Sequence, residues 1–214
     1  MQKYRKKQLL LQNEKKRQMI QHTEKENHPL PPFLPKGAKV LMLGSFPPPK
    51  ERWKMDFFYP NIQNDMWRIF GLAFFDDINF FLTNNRKMFR ESTIREFLTL
   101  KRIALWDTAM EIKRQKGNAS DKFLEILKPI NLKEILLLIP ECHAISITGQ
   151  KAMDTLLSII NAKEPAVGSF EEAMFMNRRL KIYRMPSSSR AYPKPLAEKA
   201  AIYKKMFIEL GFFL

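Results

Sequence analysis

Cysteine is nearly missing from this 214-residue chain, with Cys142 the single example. That scarcity excludes intrachain disulfides, thiolate-held iron–sulfur clusters and cysteine-rich zinc sites. Histidine is scarce too. His22, His28 and His143 are scattered without metal-ligand spacing, and no carboxylate cluster could hold a divalent cation. A chain without metal or cofactor is expected. No apolar run approaches the ~18 residues of a membrane span. The basic N-terminal segment lacks the continuous apolar stretch of a signal peptide. These absences lead us to expect a soluble, cytoplasmic protein with no membrane partner.

Acidic residues are also in deficit. Lys and Arg number 37 against 22 Asp and Glu, a net charge of +15. Charge speaks to partners rather than to fold, and an excess of this size suits a polyanion, most simply nucleic acid. Apolar residues make up 45%, enough for a core, and the length suits one domain with some excess at an end. Residues 1–36 carry nine Lys/Arg and three Glu, or +6, with a weak apolar face from Leu9, Leu10, Leu11, Met19 and Ile20. They read as a basic helical arm to about residue 25, then the Pro-rich linker "HPLPPFLPKG". Such an arm adheres to DNA or a membrane surface, or is simply solvated or packed on the domain.

From residue 37 to 214 strands alternate with helices. "AKVLML" (38–43), "RIALW" (102–106), "HAISITG" (143–149) and "RLKIYRM" (179–185) read as buried strands. "DMWRIFGL", residues 84–100, "NLKEILLLIPE", "QKAMDTLLSII" and "PLAEKAAIYKKMFIELG" read as helices. Asn131 and Glu134 have capping-box spacing, and Pro195 and Gly211 flank the last helix. This alternation predicts a three-layer α/β/α domain around a central, four-stranded, mostly parallel sheet. In such sheets a ligand sits outside the carboxyl ends of the strands. The informative segments are therefore those that follow strands.

After the first strand comes "GSFPPP". Gly44 allows close approach of a ligand, and the N–H groups of Ser45 and Phe46 are free to donate. One glycine makes neither a Walker loop nor a dinucleotide fingerprint. Ser45 as an esterase nucleophile would need a G-x-S-x-G elbow and a histidine in a suitable loop, and neither is present. Next, in "DFFYPNIQNDMW", Phe57, Phe58 and Tyr59 can stack on a planar base or pack in the core. Asn64 can cap the following helix or hold a water through its amide oxygen, with Asn61 its rival. Asp107, ending "LWD", orients a polar group in a pocket or caps a helix. We expect the cap. In "KGNASD", Ser120 or Asp121 is expected to cap a helix. After the fourth strand, "MPSSSRAYP" offers hydroxyls and N–H groups to a phosphate. Between Arg178 and Lys205 nine Lys/Arg meet one acid, Glu198, a local +8.

Six segments in register resemble the uracil-DNA glycosylase superfamily, nearest its hypoxanthine-DNA glycosylase and mismatch-specific (G:T/U) branch. They are "GSFP" (44–47), "FFYPNIQNDMW" (57–67), "LWD" (105–107), "GNASD" (117–121), "TGQKA" (148–152) and "MPSSSRA" (185–191). The resemblance implies a monofunctional hydrolase of base-excision repair. It would bind DNA as a monomer, flip out uracil or hypoxanthine and cleave the N-glycosidic bond. It implies Asn64 as the catalytic asparagine. Ser45 stands where mismatch enzymes carry a water-activating asparagine. Gly44, Phe46, Phe58 and Tyr59 would form the base pocket, and Ser187, Ser188, Ser189 and Arg190 the DNA contact. Met185 replaces the histidine that some relatives place before the closing "PS", and Ile62–Gln63 replace the usual "P-R". The rival reading is a non-catalytic nucleic-acid-binding domain of the same fold. A phosphate-ester hydrolase would require the metal site the chain lacks.

Overall fold

The computed structural model of the protein describes residues 25–115 and 121–213. The expected helical arm, Ser120 and most of the "GNASD" turn lie outside the described residues. In chain order the elements are β1 (Lys25–Asn27), β2 (Val40–Gly44), α1 (Met66–Phe75), α2 (Glu91–Leu100), β3 (Ile103–Asp107), β4 (Ala109–Arg114) and β5 (Leu124–Pro129). They continue with α3 (Leu132–Leu138), β6 (Ala144–Thr148), α4 (Gln150–Leu157), β7 (Ser169–Phe175), β8 (Arg178–Met185) and α5 (Leu196–Glu209).

The four expected strands are present and mutually parallel, in the order β3-β2-β6-β8. The apolar runs of β2, β3 and β6 are continuous because both faces are covered and every residue is buried, whereas β8 buries Leu180, Ile182, Tyr183 and Met185 between partly exposed basic residues. A fifth strand, β7, joins β8 antiparallel at one edge. The two-residue turn between them, Met176–Asn177, has both residues at positive φ (52° and 60°), the geometry that matches strand twist. With no glycine in that turn and two glutamates in the strand, the hairpin carries no strong sequence signal.

Right-handed crossovers fix the layers. The chain leaves β2 for β3 on one side, then passes back over β2 to β6 and on to β8. Connections running in opposite directions place their helices on opposite faces. Hence α1 and α2 cover one face, and α3 and α4 the other. Helix α5 returns to the first face, where Phe207 meets Phe70 (5.3 Å) and Phe74 (4.8 Å). The direction reverses between β2 and β6, so the ligand crevice belongs beyond the ends of those two strands.

A second sheet, β1-β4-β5, is antiparallel and lies outside this plan. It corrects two expectations. Asp107 caps no helix, because β4 begins two residues later. Asp121 opens a short 3-10 turn (Asp121–Phe123) that runs into β5, not a helix. A third correction concerns residues 84–90, which precede the helix instead of starting it. There Asn85 accepts from the Lys87 N–H (3.0 Å) and the Thr83 hydroxyl (2.8 Å), a local arrangement that competes with helix formation. The Asn131 cap is as expected, accepting from the Glu134 N–H at 3.3 Å.

Cys142 is 2% exposed, and burial pushes its thiol up to about 11. Burial likewise raises the Tyr59, Tyr183 and Tyr203 phenols. A group with a raised folded-state pKa binds its proton more tightly when folded. Its contribution is complete below the unfolded pKa and is lost as pH climbs through the folded value. Urea midpoints are therefore expected to fall steadily from pH 9 to 11, with Cys142 unreactive toward thiol reagents at pH 8 until the chain unfolds.

Candidate active site

A cavity of about 670 Å³ opens at the carboxyl ends of β2 and β6, where the topology reverses. That volume lies within the range of small-ligand sites. Gly44, Ser45 and Asp107 meet there with Thr148 and Gly149, while Tyr59, Asn64 and the segment Ser187–Arg190 close the other side. Two loops some 125 residues apart in sequence are joined at this point. Asn64 forms a β-bridge with Ser189, and the Asp65 N–H donates to the Ser188 carbonyl at 3.0 Å.

The long connection from β2 to α1 is pinned through its carbonyl oxygens. Arg114 donates to Pro47 O (2.7 Å), Trp53 Nε1 to Pro48 O (2.7 Å), Trp67 Nε1 to Phe58 O (3.1 Å), and the Lys54 N–H to Pro60 O (3.0 Å). Arg114 is itself held by Glu26 of β1 at 2.9 Å. The small sheet thus fixes the wall that carries "GSFPPP". Phe46 packs on that sheet, and Phe57 and Phe58 are core residues that touch Trp67 and Trp106. Phe57 does not line the cavity, whereas Phe46 and Phe58 do.

Tyr59 has φ of 51°, rare for a bulky side chain and found where surrounding structure enforces it. That turn sends its hydroxyl toward Gly44. A Cβ built on Gly44 would lie 2.5 Å from Asp107 Oδ1, so glycine is what leaves room for that carboxylate, with the Tyr59 hydroxyl at ordinary contact distance, 3.6 Å. Burial, then Tyr203 and Asp107, raises the Tyr59 phenol and keeps it protonated. Beyond it, Thr148 Oγ1 meets the Tyr203 hydroxyl (3.2 Å), which donates to Pro186 O (3.1 Å).

Asn64 uses Oδ1 to accept the Met66 N–H at 2.9 Å, which fixes the plane of its carboxamide at the start of α1. Its Nδ2 has no acceptor among the described residues. Asn61 instead turns inside its own loop, accepting the Gln63 N–H. Ser45 is buried, and neither its N–H nor that of Phe46 has an acceptor among the described residues. Ser188 is 2% exposed, while Ser187 and Ser189 accept the N–H groups of Ser189 and Ala191. Lys199, buried in α5, donates to Ser189 O at 2.8 Å from beneath the loop. Arg190 donates to Asp65 (2.9 Å) and Gln63 (2.7 Å).

Within the +8 segment, Arg179, Arg184, Arg190, Lys194, Lys204 and Lys205 each face a carboxylate, and Lys199 is buried.

Thr148 and Gly149, which the sequence offered only within "TGQKA" and without a role, line the cavity where β6 lies beside β2. Asp121 lines the cavity and faces Gly149, its carboxyl pulled up by burial and restrained by the Ser45 hydroxyl. A buried acid with a raised pKa costs stability when ionised, and the cost vanishes once the group is protonated. Asp121→Asn is therefore expected to stabilise the protein by ~0.5–2 kcal/mol at pH 7 and by nothing at low pH, read by thermal melts. His28 lies beneath the floor, with Nε2 2.9 Å from Asp107 Oδ2.

An α/β/α domain with a polar cavity at its topological switch point defines the class. No protein-family model and no curated protein sequence matches the chain. Among solved structures, the chain is similar to a "putative Uracil DNA glycosylase" from Methanosarcina acetivorans, whose structure was determined by NMR in solution. Identity is 22% over 85% of this chain and 96% of the other, with a TM-score of 0.57. The protein has the uracil-DNA glycosylase fold. That likeness is one of fold.

Proposed function

We propose that the protein is a monofunctional DNA glycosylase of base-excision repair. It acts as a cytoplasmic monomer that draws a deaminated or mismatched base, uracil or hypoxanthine, out of DNA and hydrolyses its N-glycosidic bond. One observation carries this reading. The loop after β2, the Asn64 turn and the Ser187–Arg190 loop converge on one cavity, the last two joined by the bridge between Asn64 and Ser189 and by the Asp65 N–H bond to Ser188 O.

Extrusion costs a few kcal/mol and is cheapest for a mispaired base. Tyr59, with Phe58 and Phe46 behind it, would contact the extruded base. The N–H groups of Ser45 and Phe46, without acceptors among the described residues, would stabilise negative charge on the departing ring, as an oxyanion hole does. Asn64, its carboxamide already fixed by the Met66 N–H, would place the water that attacks C1′. An amide is a weak base, but an oxocarbenium-like carbon needs a positioned nucleophile more than a strong one. Ser187, Ser188, Ser189 and Arg190 would hold the flanking phosphates, Arg190 through N–H groups not given to Asp65 or Gln63.

Duplex and single-stranded oligonucleotides carrying uracil, hypoxanthine or a G:T mismatch test this directly. Alkali-labile sites are expected at one of these bases. Tight binding with every strand left intact would favour the non-catalytic nucleic-acid-binding domain.

A further inference from the structure

His28 lies in the segment that leads into the domain, 79 residues from Asp107, yet its side chain is 0% exposed. Phe46, Phe58 and Trp106 surround its ring at centroid distances of 5.2, 6.3 and 4.2 Å. Nδ1 stands 2.9 Å from Leu30 O and 3.3 Å from the Leu30 N–H, and Nε2 stands 2.9 Å from Asp107 Oδ2. A buried histidine so caged has one evident task, which is to hold one oxygen of Asp107.

The other oxygen faces Gly44 at the cavity floor, where the carboxyl keeps 10% of its surface. No donor among the described residues reaches Oδ1. Whichever tautomer the ring adopts, the shared proton lies on the line between Nε2 and Oδ2. Oδ1 is left as an acceptor in both cases. An acceptor fixed in a desolvated floor demands a donor from whatever fills the cavity, because two opposed lone pairs are costly there.

We propose that Asp107, positioned by His28, accepts a hydrogen bond from a ring N–H of the extruded base, and so selects bases with a lactam N–H over their amino parents. Uracil and hypoxanthine carry that N–H. Cytosine and adenine present a bare ring nitrogen at the equivalent place and are refused. This inference rests on the glycosylase reading and names the group that reads the base.

The test uses full-length protein and duplexes holding one 2′-fluoroarabino nucleotide, which resists hydrolysis, so that affinity is read without cleavage. The wild type is expected to bind the uridine analogue about tenfold or more tightly than the cytidine analogue, and inosine over adenosine likewise. In Asp107→Asn, His28 holds the amide oxygen and turns the NH₂ into the cavity, so the preference is expected to vanish or invert. His28→Ala should erode it, and His28→Gln, which can still donate to Oδ2, should restore it. Thermal melts of each variant check folding. Equal affinities in the wild type, or an unchanged ratio in folded Asp107→Asn, would overturn the proposal. Base release from ordinary uracil and hypoxanthine oligonucleotides, run in parallel, judges the glycosylase reading separately. Release with an unchanged Asp107→Asn ratio sinks this inference and spares that reading.

Discussion

Replacing Asn64 with alanine is expected to lower base release by roughly 10²–10³-fold while DNA affinity stays within about threefold. The reason is positional. Asn64 Oδ1 is fixed by the Met66 N–H, so the carboxamide reaches the cavity wall without further ordering when substrate arrives. Alanine also removes that local bond, at a cost of ~1 kcal/mol. Asn64→Asp separates the two effects. Its carboxylate still accepts from Met66, so the melting temperature should recover, whereas the amide donor is gone. Single-turnover release with each variant reads the chemical step. Full activity in Asn64→Ala would remove Asn64 from catalysis.

The second large effect is structural. Asp65 sits between two guanidinium groups, Arg190 at 2.9 Å and Arg68 at 3.6 Å, with its own side chain 10% exposed. Burial and the charge of Arg190 both act against the Arg68 cation, and Asp65 is what opposes them. Asp65→Ala leaves two like charges facing each other, one of them largely desolvated. A loss of about 3 kcal/mol is expected, with a fall of ~6–12 °C in melting temperature for a domain this size. Because Arg190 is nearly half exposed, the double variant Asp65→Ala/Arg190→Gln should recover part of the loss. An unaltered melt in Asp65→Ala would mean that the Asn64 turn and the Ser187–Arg190 loop are held together by other contacts.

The central sheet was legible because β2, β3 and β6 are buried on both faces and stand out as apolar runs, while β8 alternates basic with buried apolar residues. Strand β7 was not, because it is a half-exposed edge whose turn uses Met176–Asn177 in place of glycine. The convergence of Gly44, Ser45, Tyr59, Asn64 and the serine loop followed from strand-end logic. The floor did not. Asp107 read as a helix cap because a helix was expected after it, and Asp121 for the same reason. His28 looked like a stray residue in a Pro-rich linker. Its importance comes from β1 pairing with β4, a contact that spans more than eighty residues and leaves no local pattern. The pairing of the positive charge after Arg178 was not legible either, since Asp65, Asp76, Glu164 and Glu172 reach it from other parts of the chain.

The cavity's capacity to receive one nucleobase from a duplex is tested most directly by placing 2-aminopurine beside a 2′-fluoroarabino-uridine and following its emission as protein is added. Loss of stacking on extrusion should raise the emission to a plateau at one protein per lesion, with no rise for an undamaged duplex. Saturable binding with flat emission would contradict it.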